Sequence, residues 1–189
     1  MSLKLFRSPF VFYCDVSNHD DIKSRYYNRL KDITYNDENS IVKQWNCDVR
    51  STFNFTVDCL WDSYFQDSVI WKPLDQMLTE VDINFYPTTS RVSGVWANFY
   101  KVGQFQEVHN HLGSRLNHFS GIYILDQKGE NRTSFNNYNY GLLDSHLDTK
   151  NIDDIKEGSV IIFPSNLLHY VNPVDDNRCT ISFNIRCEF

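Results

Sequence analysis

Tyr100-Lys-Val-Gly-Gln-Phe-Gln-Glu-Val-His-Asn-His111 is the stretch on which the reading of this chain turns. It is answered further along by Phe163-Pro-Ser-Asn-Leu-Leu-His169 and by Arg178 beyond that. Side chains at i and i+2 of an extended strand leave from the same face. His109 and His111 are therefore expected to reach one ion together while Asn110 points away, with His169 brought alongside by another strand. Imidazole donors with coordination positions left open suit a borderline ion on a β-barrel wall, and non-haem Fe(II) is a leading candidate.

Taken alone, His-x-His is weak evidence, because six histidines in 189 residues sometimes fall close together. The strand expected over Cys179–Cys187 strengthens it. With Arg178 leading in, one face reads Arg178, Thr180, Ser182, Asn184 and Arg186, and the other reads Cys179, Ile181, Phe183, Ile185 and Cys187. Alternation of this kind also describes a solvated edge strand. On the functional alternative the polar face looks into a barrel, where Arg178 clamps a carboxylate in a bidentate pair beside the hydroxyls of Thr180 and Ser182.

A chain of 189 residues is long enough to bury a sizeable core, and we expect one domain over 1–189. Helical support elements are assigned to about 1–90 and the strand-rich core to about 91–189. The 14 Phe, 11 Tyr and 4 Trp against only 7 Gly favour a β-rich globular fold over disorder. A net charge of −6 speaks against a nucleic-acid partner. There is no apolar run of membrane-spanning length, and the start Met1-Ser-Leu-Lys lacks an apolar signal core. Five cysteines form no CxxC pair and are odd in number, which implies reduced thiols and a cytoplasmic protein with no membrane partner.

Along the chain, Leu5–Tyr13 reads as a first strand. Ser17 or Asn18 is expected to cap a helix carrying Ile22, Tyr26, Leu30 and Ile33, and Asn36–Ser40 to be a loop. A second helix is expected over Pro73–Val81, with Leu74, Met77, Leu78 and Val81 as its apolar stripe. Both helices are expected to pack against a sheet. Strands follow over Val92–Tyr100, where Trp96, Asn98 and Tyr100 share a face, then Phe119–Leu125, Ser159–Phe163 after the Glu157-Gly158 turn, and His169–Val171. Gln127–Asn151, with Asn136-Asn-Tyr-Asn-Tyr-Gly141 inside it, has no clear period and reads as a lid or binding loop. Helices followed by strands suggest helices covering one face of a barrel or jelly roll.

The combination Tyr-x-x-Gly-Gln, a histidine six residues after the glycine, and a distal histidine followed about ten residues on by Arg-x-Thr resembles the iron(II)- and 2-oxoglutarate-dependent dioxygenases. Within that superfamily it is most similar to the prolyl-4-hydroxylase-like branch and to uncharacterised oxygenases of marine bacteria and phages. The stretches that carry the resemblance are Trp96-Ala-Asn98, Gly103–His111, Ser120-Gly-Ile-Tyr123, Phe163-Pro-Ser165 with His169, and Arg178-Cys-Thr-Ile-Ser-Phe-Asn184. The resemblance implies a mostly β fold with flanking helices, a double-stranded β-helix (jelly roll, cupin-like). It also implies Fe(II), 2-oxoglutarate and O2, and hydroxylation of a C–H bond with decarboxylation of 2-oxoglutarate to succinate. His109 and His169 carry over as iron ligands and catalytic residues, and Arg178 as the partner of the distal carboxylate of 2-oxoglutarate. Thr180 stands at the hydroxyl position of Arg-x-Ser, and Tyr100, Asn98, Gln106 and Ser182 are assigned to the cosubstrate pocket.

Two departures stand out. The carboxylate of the family's usual His-x-Asp or His-x-Glu is replaced by His111, and Gln106 takes a place where relatives often have tyrosine. His111 is assigned as third ligand, the alternative being a residue that turns away to hydrogen-bond the substrate or a ligand. His118 and His146 are assigned structural or surface roles, and Cys179 an apolar one. The prime substrate is a peptidyl side chain, an amino acid or another small metabolite, and a homodimer is among the oligomeric alternatives. Two competing readings are a three-His cupin-type dioxygenase that does not use 2-oxoglutarate, and a non-catalytic jelly-roll binding module.

Overall fold

The computed structural model describes residues 10–81, 87–112, 117–136 and 154–188. Nine strands form two antiparallel sheets among these residues. They are β1 (Phe12–Asp15), β2 (Arg50–Ser51), β3 (Thr89–Tyr100), β4 (Gln106–His109), β5 (Phe119–Gln127), β6 (Thr133–Asn136), β7 (Ser159–Pro164), β8 (Leu168–Val171) and β9 (Arg178–Glu188). The larger sheet runs β1-β7-β5-β9-β3-β2 and the smaller β4-β8-β6. Strands close in sequence thus alternate between sheets, as in a jelly roll.

The alternation of side chains in the large sheet builds two cores. Tyr123 and Leu125 of β5, Val160 and Ile162 of β7, and Cys179, Ile181, Phe183 and Ile185 of β9 pack against a helical layer. The intervening Ile122, Ile124, Ile161 and Phe163 face inward, meeting Phe135 of the small sheet. The solvated-edge alternative for β9 falls here: the strand is central, paired with β3 on one side and β5 on the other. On its polar face Arg178, Thr180 and Ser182 are buried too, and with Asn184 they line a cavity.

The helical layer begins with α1 (His19–Asn36), whose buried residues are Ile22, Tyr26, Leu30 and Thr34. Thr34 takes the interior position expected of Ile33 by donating its hydroxyl to Leu30 O at 2.7 Å, while Ile33 packs at the margin. Asn18 precedes the helix but does not cap it with its side chain; its Nδ2 donates instead to Tyr64 Oη and Ser68 Oγ. The loop expected over Asn36–Ser40 starts with the last residue of α1 and then makes one 3₁₀ turn over Glu38–Ser40. The second helical segment starts well before Pro73. Asp62 caps α2 (Ser63–Gln66) by accepting from Phe65 N at 2.8 Å, a π-helical turn covers Asp67–Trp71, and α3 runs Lys72–Glu80. Pro73 sits within this helical run, near the N-terminus of α3.

The first strand begins at Phe12 and extends to Asp15, later than the expected Leu5–Tyr13, of which residues 5–9 lie outside the described residues. Gln127–Asn151 is not one loop: β5 includes Gln127 and β6 occupies Thr133–Asn136. The expected lid from 137 onward, His146 included, lies outside the described residues. No helix among the described residues is long and apolar enough to cross a membrane.

Gly121 faces Phe183 across the β5–β9 ladder. A Cβ there would stand 2.1 Å from Phe183 Cζ, and Phe183 is fully buried. Gly121→Ala is therefore expected to destabilise the protein by about 1–3 kcal/mol through overpacking, lowering Tm by roughly 2–4 °C for each kcal/mol. Thermal unfolding tests this, and an unchanged Tm would mean that the ring moves freely.

Candidate metal centre and cosubstrate pocket

A cavity of about 620 Å³ opens between the sheets, lined by His109, His111, His169, Tyr100, Gln106, Thr133, Arg178, Thr180, Ser182 and Asn184. His109 ends β4 directly opposite His169 of β8. His111 lies beyond the end of β4, so the same-strand argument for the pair fails in detail, yet the ring reaches the same place. The His109 and His111 rings stack with centroids 5.3 Å apart, and the His169 ring is 4.3 Å from the first and 4.9 Å from the second. One nitrogen from each lies within 4.8 Å of the others, a spread that small ring rotations close around a single ion.

Each ring is held through Nδ1. His109 Nδ1 meets Glu107 O at 2.7 Å, His169 Nδ1 meets Leu167 O at 3.1 Å, and His111 Nδ1 meets Asn184 Oδ1 at 2.7 Å. A backbone carbonyl only accepts, so in His109 and His169 Nδ1 carries the proton and Nε2 keeps the lone pair a metal needs. Burial keeps all three rings neutral. It lowers the pKa of His109, brings that of His111 down to about 4 with His109 adding to the effect, and takes that of His169 well below the usual range. Phe163 braces His169 with ring centroids 4.7 Å apart.

Arg178 is 3 % exposed. Its Nη2 donates to Thr133 Oγ1 at 2.7 Å, and its guanidinium carbon lies 5.6 Å from the centre of the Tyr100 ring. Nε and Nη1 are buried with no hydrogen-bond partner among the described residues. Burial lowers its pKa to about 10, which leaves the group charged at neutral pH. A buried cation with two idle donors is costly unless an anion completes it. Tyr100 donates its hydroxyl to Gln106 Oε1 at 2.9 Å, and Thr180 and Ser182 follow Arg178 along the wall.

Of the residues singled out from sequence, the structure brings His109, His111, His169, Arg178, Thr180, Tyr100, Gln106 and Ser182 to this cavity. Asn98 is not among its lining residues; its Nδ2 donates to Ser182 Oγ and its Oδ1 accepts from Ser51. His118 is elsewhere, with Nδ1 accepting from Cys187 N at 3.1 Å. Cys179 faces the helical core, and burial drives its thiol pKa far up. Thr133 was not anticipated, since nothing in its polar surroundings marks a strand. Nor was the role of Asn184, although the alternation of β9 places it on the right face. A third omission is an aromatic file at the mouth, Trp45–Phe53–Trp96–His111, with successive centroids 5.2, 5.3 and 5.5 Å apart.

Residues 94–184 match the model of a family described as "putative 2OG-Fe(II) oxygenase". The fold is similar to that of a Pseudomonas putida prolyl-4-hydroxylase (TM-score 0.57, 11 % identity, covering 95 % of this chain and 93 % of that one). It is also similar to a viral collagen prolyl hydroxylase of Paramecium bursaria Chlorella virus-1 in complex with 2OG (TM-score 0.56, 16 % identity, 94 % and 96 % covered). A Trichoplax adhaerens prolyl hydroxylase in complex with a hypoxia inducible factor peptide fragment gives a TM-score of 0.53 at 11 % identity, covering 93 % and 82 %. No curated protein matches. The resemblance drawn from the motifs is thus borne out, and so is the jelly roll. Together with the three-histidine group it implies Fe(II), 2-oxoglutarate and O2. The residues present fit them: three neutral imidazoles for the ion, and an incompletely partnered guanidinium for a carboxylate.

Proposed function

From that family match and this geometry we propose that the protein is an Fe(II)- and 2-oxoglutarate-dependent dioxygenase that hydroxylates a C–H bond, with 2-oxoglutarate decarboxylated to succinate. The observation that carries the reading is the buried Arg178, whose Nε and Nη1 have no partner among the described residues, in the wall of the cavity that holds the three histidines. A carboxylate at Arg178 accepts from its unpartnered donors in charge-assisted hydrogen bonds. Iron with O2 supplies the oxidising power when bound. The chain's own residues do the rest. His109, His111 and His169 hold the ion, Arg178 and Thr180 fix the far end of 2-oxoglutarate, and Tyr100, Gln106 and Ser182 line its bed. Asn98 acts through Ser182.

The prime substrate, a peptidyl side chain, amino acid or small metabolite, enters past Trp45, Phe53 and Trp96. Phe53 and Trp61 are 45 % and 40 % exposed at that mouth, and such rings give an incoming group an apolar surface to stack on. The helical layer and the two sheets act as one domain, and the five free cysteines suit a reducing compartment such as the cytoplasm. A three-His dioxygenase that chelates its substrate directly leaves the Arg178 charge uncompensated, which favours the 2-oxoglutarate reading over it. A binding module that has lost its metal has no use for three neutral imidazoles converging on one point.

Anaerobic Fe(II) titration with and without 2-oxoglutarate tests the proposal. A weak visible charge-transfer band that needs both supports it. Iron binding indifferent to 2-oxoglutarate points to the cupin-type chemistry, and no metal binding points to the module. In the same titration His111→Ala is expected to bind iron more weakly than wild type but not to lose it altogether. His111→Asp is expected to retain iron, since it restores a two-histidine, one-carboxylate set. Wild-type affinity in His111→Ala would remove His111 from the ligand set.

A further inference from the structure

His109 and His169 take their tautomers from backbone carbonyls two residues before each, Glu107 O and Leu167 O. Among the described residues His111 meets no backbone carbonyl through Nδ1. It has left the strand, and its backbone is held by its N–H donating to Ser165 O at 2.9 Å and its carbonyl accepting from Asn117 Nδ2 at 2.8 Å. Its ring instead depends on a side-chain amide, Asn184 Oδ1 at 2.7 Å. An amide has both a donor and an acceptor end. If Asn184 turned over, Nδ2 would face the ring, put the proton on Nε2 and close the site to metal.

With Oδ1 toward His111, the same amide oxygen is met by a hydroxyl relay. Ser120 Oγ donates to the same Asn184 Oδ1 at 2.8 Å, and Ser120 Oγ lies 2.8 Å from Ser165 Oγ. Asn184 sits in the middle of the large sheet, in register with Ser120 of β5 and Gly94 of β3. Its amide is therefore carried on a rigid element rather than on a loop. Ser165 adds to the hold twice, once in the relay and once by accepting from the backbone of His111.

We infer that Asn184, oriented by Ser120 and Ser165, is a positioning residue that fixes His111 as its Nδ1–H tautomer and turns Nε2 to the ion. The inference rests on the reading of His111 as a ligand. It explains how an imidazole works where relatives place a carboxylate: a carboxylate binds from either oxygen and needs no tautomer control, whereas an imidazole off the end of a strand needs an acceptor built for it.

The test uses the full chain with ¹⁵N-labelled histidine, first metal-free at neutral pH. Imidazole ¹⁵N shifts are expected to show His111 protonated at Nδ1 in wild type and in Asn184→Asp, which keeps an acceptor, and mixed tautomers in Asn184→Ala. Anaerobic Fe(II) affinity is expected to fall roughly 10–100-fold in Asn184→Ala and to stay near wild type in Asn184→Asp. Added to His111→Ala, Asn184→Ala is expected to cost nothing further, because it acts through that ring. A proton on Nε2 in wild type, or an equal further loss in the His111→Ala background, overturns the inference. Should Asn184→Ala fail to fold, the wild-type tautomer and Asn184→Asp still decide it. Wild-type iron affinity in His111→Ala overturns the ligand reading and the inference with it, whereas the wrong tautomer alongside a His111-dependent affinity overturns the inference alone.

Discussion

His169→Ala is expected to abolish stoichiometric Fe(II) binding and, with it, all 2-oxoglutarate turnover. His169 is 2 % exposed and is the ring nearest to both others, with centroids 4.3 Å from His109 and 4.9 Å from His111. His109 is directly across the ladder from it. Its removal leaves two imidazoles on the β4 side and nothing facing them. The fold is expected to survive, because β8 keeps its backbone ladders to β4 and β6. The ring is neutral in the protein, so no buried charge is stranded by its loss. The change costs the packing of one ring against Phe163 and Phe135, a loss of about 2–5 kcal/mol if it behaves like other large-to-small core changes. Iron per protein in the purified variant, read beside its far-UV spectrum, checks both halves. Retained iron stoichiometry would overturn the ligand assignment.

What the sequence made legible, and what it hid, follow from how local each signal is. The β9 alternation is a strictly local pattern, so Arg178, Thr180 and Ser182 were readable, and so was the apolar face from Cys179 to Cys187. The α1 stripe was readable at Ile22, Tyr26 and Leu30 for the same reason, and it failed at Thr34 because a hydroxyl bonded to Leu30 O can be buried in a helix without an external partner. The helix over Ser63–Glu80 was read only in its second part, because Pro73 looks like a start when only local rules are applied. The preceding π-helical turn over Asp67–Trp71 has no residue period that marks it. β4 and β6 are four residues each, too short to establish a period. Within the site, the histidines and Arg178 announce themselves by residue type. Thr133, Ser120, Ser165 and Asn184 do not, since small polar residues are common everywhere and these acquire their roles only when β5, β6, β7 and β9 converge.

Arg178→Ala is expected to weaken 2-oxoglutarate on the order of a hundredfold while Fe(II) affinity stays within a few-fold. The site of the change is 3 % exposed, and among the described residues its guanidinium donates to Thr133 and has the Tyr100 ring beside it. Hydrogen bonds to a charged partner are worth about 1.5–3 kcal/mol, and a hundredfold corresponds to about 2.7 kcal/mol. Among the described residues the Nδ1 partners of His109, His111 and His169 are Glu107 O, Asn184 Oδ1 and Leu167 O, none of them on Arg178. The protein without cosubstrate gains something from the substitution, since an under-partnered buried cation is removed. The variant is therefore expected to be no less stable than packing loss alone dictates. Arg178→Lys is expected to recover only part of the affinity, because an ammonium is a point donor and cannot reproduce the planar fork. Thermal shift under anaerobic Fe(II) reads the whole set. In wild type, 2-oxoglutarate at about a hundred times its Kd adds about 2.7 kcal/mol, a rise of several degrees for a chain of this size. In Arg178→Ala at the same concentration that rise is expected to shrink to well under half, with Arg178→Lys between the two. If 2-oxoglutarate protects Arg178→Ala as fully as wild type, the cosubstrate is held elsewhere, and the idle donors of Arg178 serve some other anion.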